Sequence, residues 1–162
     1  MKKFLLILFS FLISFSYAQT LKGGVSEEFV PKGFYGSWGV ISKLKSSTNP
    51  TMFNYESRDI WVLSGYGNAL ILENLESGAH SEIIIKEKNK DGKTLKFQRQ
   101  KIVDRGNKKT IYKETVTFVL SDKNFSGSDD FIVEQYEKNE LIKTDSAHYE
   151  VSGVKISGDS PQ

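Results

Sequence analysis

The amino-acid sequence predicts an all-β protein and, within that class, an eight-stranded antiparallel up-and-down β-barrel. Residues beyond 33 show no apolar period of 3.6 over about 11 residues, so long amphipathic helices are not expected. Alternating segments rich in β-branched and aromatic residues recur instead between turn signals. An open sheet of eight twisted strands would expose two edges and one uncovered apolar face. Closure into a barrel removes both problems.

The predicted strands cover residues 36–44, 59–64, 68–73, 79–88, 93–105, 108–121, 130–137 and 141–156. The first begins at Gly36 and alternates through Trp38 and Val40, and the one long connection, 45–56, follows it. Short stretches bearing Gly, Asn, Asp or Ser at 65–67, 74–78, 89–92 and 106–107 bound the next strands. The polar segment 122–128 and the pair at 138–139 bound the last two, and Asp129-Asp130 next to the first of these is interpreted as part of a polar turn. A β-sandwich is the alternative, but it needs more long connections than this chain offers.

Length and composition limit the classes of function. The chain has 162 residues, enough for one domain, and a formal net charge of +2. That charge is too small to suggest a nucleic-acid partner. The absence of cysteine excludes a disulfide framework, a zinc-thiolate site and a Cys nucleophile.

The N-terminal residues predict export. Residues 1–18 combine two lysines, an apolar run and a small-x-small site ending at Ala18, which is typical of a cleaved signal peptide. The apolar run is shorter than the roughly 20 residues of a spanning helix, which disfavours the alternative of a retained anchor. We expect a periplasmic or secreted protein that is not embedded in a membrane. Residues 19–33 are expected to be a flexible segment with a helical turn at 27–30, 34–157 a single barrel domain, and 158–162 a disordered tail.

The two-residue loop Gly106-Asn107 predicts the register of one hairpin. It pairs Arg99 with Glu114, Lys101 with Tyr112 and Phe97 with Val116 on the face that we take as the interior. A bulged turn at 89–92 would set Ile85 opposite Phe97 and Glu87 opposite Leu95, which joins the apolar residues of three strands into one patch. Arg99 and Glu114 would then be an inward pair, which is either structural or a polar anchor for a ligand.

Gly36-Ser37-Trp38 resembles the G-x-W motif that opens the first strand of lipocalins and related calycins. The expected turn at 27–30 resembles the helical turn that closes the base of such barrels. The resemblance implies an eight-stranded barrel with a central cavity. The chain differs from lipocalins because Thr144-Asp145-Ser146 lies inside the last predicted strand, no C-terminal helix follows, and Lys155 rather than an arginine lies near the end. No ligand-binding residue of the family can be transferred.

We therefore predict a non-catalytic protein that binds a small, mostly apolar molecule in its barrel. The candidate ligand-binding residues are the loop and interior side chains Phe53, Tyr55, Trp61, Phe97, Arg99, Tyr112 and Glu114. The alternative is a solid-core barrel that acts as an envelope structural or protein-interaction module. A cavity of roughly 300 Å³ would favour the binder, and an interior filled by Trp38, Phe97, Phe118 and Tyr149 would favour the module.

No sequence motif predicts catalysis, a cofactor or a metal site. The two histidines, His80 and His148, lie far apart in sequence and have no cysteine to complete a metal-ligand set; His80 should face outward. No G-x-S-x-G motif is present. A membrane barrel is a further alternative, but the outward residues Lys96, Gln98 and Gln100 are too polar to face lipid.

Overall fold

The computed structural model describes residues 30, 32–66, 69–88 and 92–158. Its strands are β1 (Gly36–Ser47), β2 (Glu56–Tyr66), β3 (Ala69–Asn74), β4 (Ala79–Lys88), β5 (Thr94–Arg105), β6 (Lys108–Ser121), β7 (Asn124–Glu137) and β8 (Glu140–Ser157). Each strand pairs antiparallel with the next and β8 pairs with β1, which confirms the predicted closed eight-stranded up-and-down barrel. No helix in the described part of the chain is long and apolar enough to cross a membrane.

The described residues begin just before the barrel. The 3-10 turn Lys32–Phe34 precedes β1, immediately after the position of the helical turn predicted at 27–30. The predicted signal peptide 1–18 lies outside the described residues, as do most of the predicted segments 19–33 and 158–162.

The predicted register of the β5–β6 hairpin is confirmed along its full length, from Arg105 opposite Lys108 to Leu95 opposite Phe118. The β4–β5 pairing is confirmed where Ile85 faces Phe97. Beyond that point the prediction is wrong, because a bulge between Ile85 and Glu87 sets Glu87 opposite Lys96 instead of Leu95. The bulge adds one residue to β4 and shifts the pairs that follow it.

The predicted start of β7 is wrong. Residues 122–128 were expected to form a connection, but β7 begins at Asn124 and the turn is only two residues long. Asn, Ser and Gly in this stretch resemble a turn, but Gly127 serves a different purpose. It lies opposite Phe118, and a β-carbon there would lie 1.7 Å from the carbonyl oxygen of Thr117. Glycine is needed for the close approach of two strands.

The barrel is strongly staggered. Following paired residues once around the barrel leads back to β1 about a dozen residues further along, and such a shear tilts the strands and widens the barrel. A wide interior must be filled by large side chains or remain open to a ligand. The side chains that point inward therefore determine what the barrel can do.

Candidate functional site

Aromatic side chains fill the end of the barrel that contains the start of β1. We call them the aromatic core; its rings are Phe34, Trp38, Trp61, Phe97, Phe118 and Phe125, all buried. Phe118 lies at the centre, with ring centroids 4.1 Å from Phe125, 5.5 Å from Phe97 and 5.6 Å from Trp61. Trp61 and Phe97, two predicted ligand-binding residues, therefore pack against rings of the protein itself.

The start of β1 closes this end of the aromatic core. The indole nitrogen of Trp38 donates a hydrogen bond of 2.9 Å to the carbonyl oxygen of Phe34, which fixes the 3-10 turn beneath the core. The ammonium of Lys155 lies 5.3 Å from the Trp38 ring centroid and donates to the carbonyl oxygen of Gly33 at 3.1 Å. A cation over an indole face is attracted by the ring quadrupole. Lys155 thus ties the last strand to the base of the barrel.

A polar layer lies next to the aromatic core, and it consists of Asn74, Arg99, Glu114 and Asp129. Arg99 donates from Nη2 to Glu114 Oε1 at 2.9 Å and from Nε to the other carboxylate oxygen. It also donates from Nη1 to Asn74 Oδ1 at 2.6 Å. The side chains of Arg99 and Glu114 are only 13% and 7% exposed, so the predicted inward pair is buried and bidentate.

Asn74 and Asp129 are the two residues of this layer that the sequence did not predict, and Asp129 is the ionisable one. Burial first, and then the charge of Glu114 and a hydrogen bond with it, raise the pKa of Asp129 well above its usual range. Its Oδ1 atom is buried without a hydrogen-bond donor from the described residues. When it is protonated, Asp129 can donate a hydrogen bond to the neighbouring Glu114 carboxylate. The alternation of inward residues 125, 127, 129 and 131 along β7 would have revealed it.

Tyr149 lies directly across the β7–β8 ladder from Asp129. Burial and, next, the negative charge of Asp129 raise the pKa of the Tyr149 phenol. Tyr149 also packs against both hydrophobic clusters of the barrel. It therefore connects the aromatic core to the opposite end.

At that opposite end, the β1–β2 loop folds back onto the barrel. Phe53 is 9% exposed and packs edge-on against Phe131, with ring centroids 6.1 Å apart. Tyr112 lies 6.3 Å from the same ring. Tyr55, the other predicted ligand-binding residue of this loop, is 77% exposed and does not join this cluster. Of the seven predicted residues, Phe53 and Tyr112 meet at this end, Arg99 and Glu114 meet in the polar layer, and Trp61 and Phe97 lie in the aromatic core.

Two grooves are open on the outside of the barrel. One, of about 490 Å³, is lined by Ser46, Thr48, Ile132 and the exposed pair His148–Asp130, whose Nδ1 and Oδ1 atoms are 2.6 Å apart. The other, of about 500 Å³, is lined by Gly39, Ile41, Arg58, Ile60 and Glu76. His80 is exposed, which agrees with its predicted orientation. The described residues hold no group of three or more acidic, His or Cys side chains placed to bind a metal ion.

The structure thus combines a filled aromatic end, a buried polar layer, a loop-covered end and two outer grooves. The comparisons with protein-family models, with curated proteins and with solved structures found no match to this chain.

Proposed function

We propose that this protein is an exported barrel that acts through its outer surface, as an envelope structural or protein-interaction module. The observation that carries the proposal is the set of rings around Phe118, which contact one another where a ligand of a wide barrel would lie. Interiors packed to this extent stabilise a fold rather than admit a guest. Both grooves described above lie on the outer wall of the barrel.

Two further features of the proposal rest on the sequence. Export follows from the signal-like residues 1–18. A distant relationship to calycins is supported by Gly36-Ser37-Trp38 and by the ammonium of Lys155 over the Trp38 ring. In this chain a lysine would take the place of the late arginine that stacks on the tryptophan of lipocalins.

Site-specific photo-crosslinking in the host tests the outer-surface function. A photoreactive amino acid would replace Val154 on β8 or Ile102 on β5, which are 57% and 48% exposed, or the buried Val133 as a control. We expect a discrete cross-linked product from at least one exposed position and none from Val133. If neither exposed position gives a cross-linked product, the proposal is contradicted.

A second candidate function is binding of a small molecule beneath the β1–β2 loop. The observation in its favour is the buried Oδ1 atom of Asp129, which receives no hydrogen bond from the described residues. A ligand donor could satisfy it if Phe53 moved aside. Titration with a neutral fluorescent lipophilic probe tests this function, since it predicts saturable binding that Phe53→Ala changes at least several-fold. Absence of saturable binding to both proteins would reject it.

A further inference from the structure

Three side chains with the chemistry of a nucleophile, a base and an acid lie in one row across the outer wall. Ser46 on β1 is directly opposite His148 on β8, and His148 is directly opposite Asp130 on β7. All three residues are exposed and line the groove of about 490 Å³. Directly opposite residues have their Cβ atoms about 4.5–5.5 Å apart on the same face of the sheet, so their side chains can interact.

A β-bulge turns Ser46 towards this face. Inward residues alternate along β1 as far as Leu44, and unbroken alternation would point residue 46 into the barrel as well. The pairing with β8 shifts between Leu44 and Ser46, so Leu44 is opposite the half-buried Tyr149, whereas Ser46 is opposite the exposed His148. Bulges that redirect a side chain are over-represented next to active sites.

The hydrogen bond between His148 and Asp130 determines which ring nitrogen can act as a base. A carboxylate only accepts hydrogen bonds, so Nδ1 carries a proton and donates it to Asp130 Oδ1 at 2.6 Å. In the neutral ring Nε2 is then the acceptor. The two nitrogens lie on different sides of the ring, so a ring whose Nδ1 faces β7 turns Nε2 away from β7, towards β1. The Ser46 hydroxyl can rotate towards Nε2, and such a hydrogen bond often tightens only when substrate is bound.

The groove beside this row fits a small, uncharged molecule that is partly apolar. Ile132 contributes an apolar side chain that is 37% exposed, and Thr48 and Ser146 contribute hydroxyl groups. The volume of the groove lies within the range of small-molecule sites. The negative charge of Asp130 would repel an anionic substrate, which favours a neutral ester over an acid.

We propose that Ser46, His148 and Asp130 form a catalytic triad that hydrolyses small neutral carboxylic esters on the outer wall. Ser46 Oγ attacks the carbonyl carbon while His148 Nε2 takes its proton. The bond from that carbon to the alcohol oxygen then breaks, Nε2 protonates the departing alcohol, and the acyl group stays on Oγ. Water attacks the acyl carbon and gives a proton to Nε2. The carboxylic acid leaves when the bond to Oγ breaks and Nε2 returns the proton to Oγ.

Asp130 is a positioning residue in this scheme, because it holds the His148 ring and its tautomer without touching the ester. The activity goes beyond the proposed outer-surface function and needs no protein partner. No local motif reveals the triad, because the pairing of three strands alone brings its members together.

Labelling with diisopropyl fluorophosphate tests the nucleophile. Attack by Ser46 Oγ forms an oxygen–phosphorus bond, expels fluoride and passes the hydroxyl proton to His148. Peptide mass mapping should find the label on Ser46, and Ser46→Ala should lose it. His148→Gln should slow the labelling at least about tenfold. Ser152→Ala removes another exposed serine from β8 and is the control that should be labelled on Ser46 at the wild-type rate.

Hydrolysis of p-nitrophenyl acetate gives the second readout. Wild-type protein should turn the ester over repeatedly, and Ser46→Ala should lower kcat/KM at least about tenfold. Asp130→Asn should lower kcat with little change in KM, because Asp130 acts through the His148 ring. Ser152→Ala should retain wild-type turnover, and circular dichroism should show that all variants are folded.

A label that is absent, or that maps to a residue other than Ser46, would overturn the inference. Wild-type turnover by Ser46→Ala would overturn it as well. Either result would leave the outer-surface function to its own test, because cross-linking from Ile102 or Val154 does not depend on the Ser46 hydroxyl.

Discussion

Arg99 binds Glu114 through two side-chain hydrogen bonds directly across the β5–β6 ladder, inside the barrel. A third hydrogen bond connects Arg99 to Asn74 on β3. The pair therefore joins three strands at the level where the aromatic core ends. A buried ion pair gives little net stability by itself, but removal of one partner leaves an uncompensated charge.

Glu114→Ala is expected to lower the free energy of unfolding by up to about 3–5 kcal/mol, because it removes both carboxylate hydrogen bonds of the buried Arg99 guanidinium and leaves only Asn74 and the nearby Asp129 to compensate that charge. Urea denaturation measures the change. Glu150→Ala is the matched control, since the Lys45–Glu150 pair also crosses neighbouring strands but is 52% and 61% exposed, and its loss should have little effect. Equal effects of the two variants would show that Arg99 and Glu114 are solvated.

Asp129 should make the stability of the barrel depend on pH. Its folded-state pKa lies above that of the unfolded chain, about 3.9, so the folded state holds the proton more tightly. The stabilisation of the folded state by the Asp129 proton is complete below the unfolded-chain pKa. It is lost as the pH rises from there through the folded-state pKa. Asp129→Asn keeps the shape without the charge, so it should raise the melting temperature at pH 7 and have a diminishing advantage towards pH 4.

The neighbouring Asp130 supplies the comparison for this variant, because its side chain is 55% exposed. Asp130→Asn should leave most of the pH dependence in place. If Asp129→Asn melts below wild type at pH 7, or retains the wild-type pH profile, the raised pKa of Asp129 is contradicted.

Gly127→Ala should prevent stable folding or reduce stability severely. Its β-carbon would lie 1.7 Å from a backbone oxygen of β6, which cannot move without separating β6 from β7. Gly39→Ala is the contrasting change, because the nearest atom to its β-carbon is the flexible end of Ile156, at an ordinary 3.5 Å, and the backbone oxygen of Val154 is 3.9 Å away. Circular dichroism thermal melts should place the second variant close to wild type. A well-folded Gly127→Ala barrel would show that β7 starts later than Asn124.

Lys155→Met should destabilise the protein by about 0.5–1 kcal/mol, because it removes the cation from the Trp38 ring and the hydrogen bond to Gly33. Lys155→Arg keeps the charge over the ring and should retain wild-type stability. Chemical denaturation followed by tryptophan fluorescence measures both variants. Equal losses in the two variants would mean that the cation over the indole contributes nothing.

Local patterns in the sequence were sufficient to predict most of the fold. Gly106-Asn107 specified a two-residue hairpin, and the alternation of Leu95, Phe97 and Arg99 then determined the inward face. The start of β7 could not be predicted, because a glycine required for strand approach has the same local signature as a glycine required for a turn. That error also placed Asp129 next to a turn instead of inside the barrel.

The candidate site was less predictable because it depends on contacts between distant strands. Alternation indicates that Trp61 and Phe97 point inward, but it does not show that Phe118 and Phe125 occupy the space between them. Likewise, Phe53 and Tyr55 are two positions apart in one loop, where side chains do not alternate regularly between two faces as they do in a strand. Only the packing of the loop on Phe131 distinguishes the buried ring from the exposed one.

Native mass spectrometry of protein purified from its own host tests the filled interior most directly. We expect only the mass of the polypeptide, as a monomer or a dimer, because the rings around Phe118 occupy the interior. A stoichiometric small molecule that leaves the protein only on denaturation would contradict the filled barrel and favour the ligand-binding function.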